Sequence, residues 1–118
     1  MPIKTIKVFK ILDSPFAVST EDGEKIFKLM NEHLKQEKKV IIDFSAIELI
    51  VSTFLNASIG QLYGLYSTKF IQEYLSIVNM SNEDLDILKK VTDLAKAYFK
   101  DKKVFDKEFN KHFPDASK

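Results

Sequence analysis

The 118 residues carry 45% hydrophobic and 30% charged side chains, a balance that fits one globular domain with a single core and leaves too little chain for two. Cysteine is absent, which excludes disulfides, thiolate metal sites and cysteine nucleophiles and suits a reducing compartment, with the cytoplasm as the default. The 18 basic residues are all lysines, set against 17 acids for a formal charge of +1, so there is no guanidinium fork for bidentate grip on phosphate or guanine, and a nucleic-acid partner is disfavoured.

Met1 to Phe16 interleave lysines with apolar residues. This stretch lacks the continuous apolar core of a secretory signal, and no run in the chain has the length of a membrane span, so no membrane partner is expected. From Lys4 to Leu12 a partial alternation of Ile, Val and Phe with Lys predicts a strand whose lysines face water. Asp13, Ser14 and Pro15 make a turn, and Phe16 to Val18 predict a second, very short strand. Ser19 and Thr20 offer capping oxygens and Asp22 and Glu24 put acids in the first turn, which predicts a helix over 20–36. Its apolar face is Ile26, Phe27, Met30 and Leu34. His33 borders that face, and with only His112 elsewhere and no ligand cluster nearby it reads as a boundary residue.

Val40, Ile41 and Ile42 form a β-branched run closed by Asp43, as in a central strand (Val40–Phe44) buried on both faces. The following loop, Ser45 to Val51, carries Ile47, Leu49, Ile50 and Val51 and must be partly buried. Asp43, at the strand's end, is placed to cap the next turn through backbone N–H groups. A helix over 52–66 then starts at Ser52 and Thr53 and aligns Leu55, Ile59, Leu62 and Tyr66 on one face. Gly60 and Gly64 lie inside it, at a cost of about 1 kcal/mol each relative to alanine, and predict close packing against a strand or a second backbone. Tyr74 to Val78 predict another strand. Ser81 with Asp84 makes a capping pair for a helix over 82–99 that bears Leu85, Leu88, Val91, Ala95 and Tyr98. Within residues 100–118, Phe105, Phe109 and Phe113 recur at four-residue steps and predict a short terminal amphipathic helix ended by Pro114. Packing of that stripe back onto the domain is favoured over its presentation to a partner. No internal repeat or linker divides the chain, so residues 1–118 are read as a single domain.

VIIDFSAIELIVSTFLN at Val40–Asn56 and YLSIVNMSNEDLDILKKV at Tyr74–Val91 resemble the STAS-like bacterial domains of unknown function, small relatives of the sulfate-transporter and anti-sigma-factor-antagonist fold. The resemblance extends from Gly23 to Lys100. It rests most on the strand ending in Asp43, the S-[ST]-F-L-N signature at Ser52–Asn56 and the V-N-M-S turn at Val78–Ser81. It implies an α/β fold with a mixed sheet of four or five strands and helices packed against it. It also implies a non-enzymatic regulatory role without a cofactor, and another protein as partner, such as a histidine-kinase-like ATPase or regulator; a homodimer is compatible with it. In the anti-sigma-factor antagonists an Asp-Ser-Ser-Gly-Leu turn carries a serine phosphorylated by a partner kinase. By position Thr53 matches that serine and Ser52 the one before it, while Val51 stands for the aspartate and Phe54 for the glycine.

The candidate site is therefore Ser52 and Thr53, for phosphorylation or partner contact, flanked by Asp43, Ser45 and Asn56. Two hydroxyls at a helix start suit an anion, because free N–H groups and the positive dipole end converge there. The plainer alternative is that Ser52 simply caps the helix. A different class of reading is a small-ligand-binding domain or small α/β enzyme that uses Asp43 and Ser45 at the carboxyl end of the central strand. Against it, a serine nucleophile needs an oriented base, and both histidines lie on helical segments far along the chain. Nor does the sequence hold a glycine-rich phosphate loop or a carboxylate cluster with metal spacing, so no catalytic or metal-ligating residue is assigned.

Overall fold

The computed structural model describes the backbone of residues 3–112 and the side chains of residues 3–100. Its strands form two parallel ladders. β1 (Ile3–Lys7) pairs with one edge of β3 (Lys39–Asp43) and β5 (Leu75–Val78) with the other, while β2 (Phe16–Ala17) pairs with β4 (Leu49–Ile50). Parallel neighbours need crossover connections, and helices supply them. α1 (Val8–Leu12) and α2 (Thr20–Leu34) lie between β1 and β3; α3 (Ser52–Ser58), a 3-10 turn (Gly60–Gly64) and α4 (Thr68–Tyr74) lead to β5; α5 (Asn82–His112) follows. The fold is α/β with five described strands, as expected, and every described pairing is parallel.

The register puts Ile6, Ile42 and Ile77 in one row and Val40 beside Leu75 in another on the same face. Ile6, Val40, Ile42 and Leu75 are buried there. α2 contacts β1 and β3, α3 packs along α2, and α5 packs on α3 and the 3-10 turn. Their buried side chains, among them Ile26, Met30, Leu34, Phe54, Leu55, Leu62, Leu88 and Val91, form one core with the sheet. The other face bears Ile3, Thr5, Ser76 and Val78, all exposed, and Ile41, which is half-buried. β3 is thus central but fully buried on one face only.

Several element boundaries differ from the sequence expectation for local reasons. The strand predicted from Lys4 to Leu12 ends at Lys7, where Val8 turns into the core and opens α1; Asp13 closes that helix in the left-handed region (φ 52°) with its N–H on the Phe9 carbonyl at 2.8 Å. The predicted 45–51 loop contains β4, which the Pro15 and Ala17 carbonyls recruit through the N–H groups of Leu49 and Val51. The helix predicted over 52–66 stops at Ser58, whose hydroxyl donates to the Phe54 carbonyl at 2.8 Å, a back-bond that bends helices. A 3-10 turn follows. A Cβ at Gly64 would stand 2.6 Å from the Phe99 ring and one at Gly60 2.8 Å from Asn56 Oδ1, so the close neighbours are side chains and not a strand. α4 has no counterpart in the sequence reading. Ser67 caps it by accepting from the Phe70 N–H at 3.1 Å, and Tyr66, Phe70 and Tyr74 stack along it with ring centroids 4.7 and 4.5 Å apart.

The helix predicted over 82–99 and the separate terminal helix are one element, α5. Ser81 caps it by accepting from the Asp84 N–H at 3.2 Å. Because α5 runs unbroken to His112, the segment after Asp101 does not turn back as a helix of its own. Leu88, Val91 and Ala95 are its buried contacts, whereas Leu85 and Tyr98 are exposed. Phe113 and Pro114 lie outside the described residues, as do the side chains of Phe105, Phe109 and His112.

Candidate functional site

Residues 16–20, Phe-Ala-Val-Ser-Thr, and 49–53, Leu-Ile-Val-Ser-Thr, are near copies. The fold sets them side by side. Phe16 pairs with Leu49 and Ala17 with Ile50 in the parallel β2–β4 ladder, and each strand runs within two residues into its helix. The starts of α2 and α3 are consequently neighbours. Gly23 permits their approach, since a Cβ there would lie 2.6 Å from the Phe54 carbonyl oxygen and 2.7 Å from Ala57 Cβ. The repeated Val-Ser-Thr was the signal in the sequence for this pairing, and the sequence reading missed it.

The two copies do different work. Ser19 is the N-cap of α2 and accepts from the Asp22 N–H at 3.0 Å. In α3 the helix begins one residue earlier, with Val51 as N-cap in an extended conformation (φ −118°, ψ 158°) and no side-chain cap bond. The cause is the ladder. The Val51 N–H is held by the Ala17 carbonyl at 3.1 Å while its own carbonyl already accepts from Leu55 at 3.3 Å, so the strand hands over to the helix at Val51. The expectation that Ser52 caps is thereby corrected. Ser52 and Thr53 are the first two helical residues, and both are exposed. Phe54 is 0% exposed; its ring enters the core and leaves the hydroxyls uncovered.

Ser52, Thr53 and Asn56, joined by Gln61, line one side of an open groove of about 500 Å³, and Leu94 and Tyr98 of α5 stand on the other. Leu94 is 72% and Tyr98 59% exposed. One wall can therefore make hydrogen bonds while the other offers apolar contact, a combination suited to an amphipathic segment. Three of the expected site residues, Ser52, Thr53 and Asn56, come together here.

Asp43 and Ser45 are not among the residues lining that groove. At the carboxyl end of β3, Asp43 Oδ1 accepts from the Ser45 N–H at 2.9 Å and from the Asn79 side-chain amide at 2.8 Å. Asn79 itself sits in the left-handed region (φ 60°). The Asn79 bond first, and the Ser45 N–H next, hold the Asp43 carboxyl below the usual carboxylate range. Asp43 thus fastens the loop after β3 to the turn after β5. His33 is half-buried on α2. Among the described residues no three His, Cys, Asp or Glu side chains gather where a metal ion could be held, and no described helix is long and apolar enough to cross a membrane.

The family model of the STAS-like domain of unknown function (DUF4325) matches residues 22–85, a stretch that runs from the first turn of α2 to the first turn of α5 and includes α3. The chain belongs to this family. No curated protein and no solved structure matches it.

Proposed function

We propose that this STAS-like chain is a non-enzymatic regulatory module that binds another protein through the start of α3, with Thr53, and Ser52 beside it, as the position where phosphate switches that contact. The observation that carries the reading is the unequal use of the two Val-Ser-Thr segments. In α2 the serine is consumed as a cap, whereas in α3 the cap is Val51 and both hydroxyls stand exposed on the wall of a groove. A phosphate on Thr53 adds close to two negative charges in the first turn of the helix, where the backbone dipole favours them. The exposed hydroxyls give a kinase access, and Phe54, buried beneath them, presents no obstacle. A histidine-kinase-like ATPase or a regulator is the partner class that the family relationship suggests. Asp43 has no spare role in this reading, since its carboxylate is engaged by Ser45 and Asn79.

The test is mass spectrometry of the protein purified from its native host, together with capture of partners by the wild type and by Thr53→Ala. Phosphate at Thr53 or Ser52 and a changed partner set are expected. An unmodified chain whose partners are the same in both forms would reject the switch.

A further inference from the structure

A second pocket, of about 330 Å³, opens between the 3-10 turn, the start of α4 and α5. Among its described lining residues only Phe99 also lines the groove beside α3. Its walls are largely aromatic, and each ring is held in place. Tyr66 stacks on Phe70 with centroids 4.7 Å apart and donates its hydroxyl to Asn31 Oδ1. Phe99 lies against Gly64 and meets Tyr98 edge-on, with centroids 5.0 Å apart. Tyr63 carries the Lys96 ammonium 5.6 Å from its ring centroid. Rings fixed in advance lose little freedom when a flat ligand enters between them.

Polar groups converge on this apolar space from two elements, the usual composition of a small-molecule site. Lys96 and Lys100 stand one turn apart on α5 and both line the pocket. Like charges at that spacing repel each other, and an anion between them relieves the repulsion. Asp93, whose carboxyl senses Lys96, is already bonded to Lys89 at 2.9 Å. Across the pocket, Ser67 Oγ accepts from the Phe70 N–H at 3.1 Å, which leaves its own proton to donate, and the Thr68 hydroxyl stands beside it. Burial, and then the Asp93 carboxylate, push the Tyr63 hydroxyl up, so no phenolate forms here at neutral pH to oppose an anion. Two ammonium groups match the charge of close to two that a phosphate monoester carries. We propose that this pocket binds a small phosphate monoester whose body is a flat ring, with the ring among Tyr63, Tyr66 and Phe99 and the phosphate between Lys96 and Lys100. The inference does not rest on phosphorylation at Thr53.

Phenyl phosphate is the probe, titrated into the full chain and followed by amide NMR. Saturable one-to-one binding is expected, with shifts at Tyr63, Ser67, Thr68 and Lys96, and with affinity that falls as salt is added. Phenol and inorganic phosphate, the two halves of the probe, should each bind at least tenfold more weakly. Lys96→Met combined with Lys100→Met keeps the aliphatic stems and removes both charges. That variant should keep the wild-type circular dichroism spectrum and lose at least tenfold in affinity for phenyl phosphate. Lys100→Glu, at an exposed position, serves if the double variant unfolds, and should also weaken binding at least tenfold. No saturation at millimolar probe, inorganic phosphate binding as tightly as phenyl phosphate, or an affinity unchanged in the lysine variants would overturn the proposal.

Discussion

Ser19 and Ser52 follow identical valines and precede identical threonines, yet only Ser19 closes a helix end with its hydroxyl. Removing a working cap costs about 1 kcal/mol, whereas an exposed serine inside the first turn is worth a few tenths at most. Ser19→Ala should therefore lower the urea unfolding free energy by about 1 kcal/mol and Ser52→Ala by less than about 0.5 kcal/mol; equal losses would mean that Ser52 caps after all. Sequence alone placed two hydroxyls at the start of α3 but not the residue that caps it, because capping turns on a one-residue difference in where the β4 ladder releases the chain. Asp43 gives a second test at this scale. Its folded pKa lies below the unfolded value, so it contributes stability that is complete above the ordinary carboxylate range and is lost as pH falls through the lowered folded pKa. Asn79→Gly removes the main donor while keeping a residue at ease with positive φ. In an NMR titration of the Asp43 carboxyl this change should move the pKa up toward the ordinary value, and acid unfolding should lose part of its dependence on this group. An unmoved titration would assign the shift to Ser45 alone.

α2 and α3 show what an element's sequence reveals and what it withholds. The apolar spacing of Ile26, Met30 and Leu34 was enough to place α2 and its inward face, and the capping pair at Ser81 and Asp84 was enough to start α5. The end of α3 was not legible, because it depends on the Ser58 back-bond and on the Phe99 ring lying against Gly64, a contact between segments far apart in the chain. α4 was missed because it is only seven residues long, too short for its core-facing Phe70, Ile71 and Tyr74 to establish a helical period before the chain enters β5. Gly23 is the sharpest test of how α2 meets α3. Alanine there gains about 1 kcal/mol in helix propensity, but its Cβ would strike the Phe54 carbonyl and Ala57 Cβ, and neither can move without shifting the whole of α3. Overpacking of this kind costs roughly 1–3 kcal/mol, so Gly23→Ala should be destabilising in spite of propensity. Gly64→Ala meets only the edge of a ring that can swing, and Phe99→Leu should relieve it. If Gly23→Ala raised the melting temperature, the helices would be farther apart than described.

At the scale of the molecule the three-stranded sheet is parallel, yet among the described residues only one of its faces is fully buried. Parallel sheets are ordinarily sandwiched between helices, and a continuous run such as Val40-Ile41-Ile42 is their usual signature. That run made the central position of β3 legible, but it could not say how many faces would be covered, since that depends on where the helices pack. Among the described residues Ile3, Thr5, Ser76 and Val78 of the second face are exposed. Adjacent isoleucines of one strand therefore occupy different environments. Ile42 is 0% exposed and belongs to the core cluster, whereas Ile41, one residue away, points to the other side and is only half-buried. Truncating a fully buried isoleucine to alanine costs about 2–5 kcal/mol, because a cavity is left that the surroundings only partly fill. At Ile41 no closed cavity forms, and the loss is that of partly shielded apolar surface, about 1 kcal/mol. Ile42→Ala should thus unfold at markedly lower urea than Ile41→Ala, with similar m-values if the unfolded states match. Comparable large losses at both positions would reveal a second cover on the open face, supplied by another copy or by chain outside residues 3–112, and the one-sided sheet would have to be abandoned.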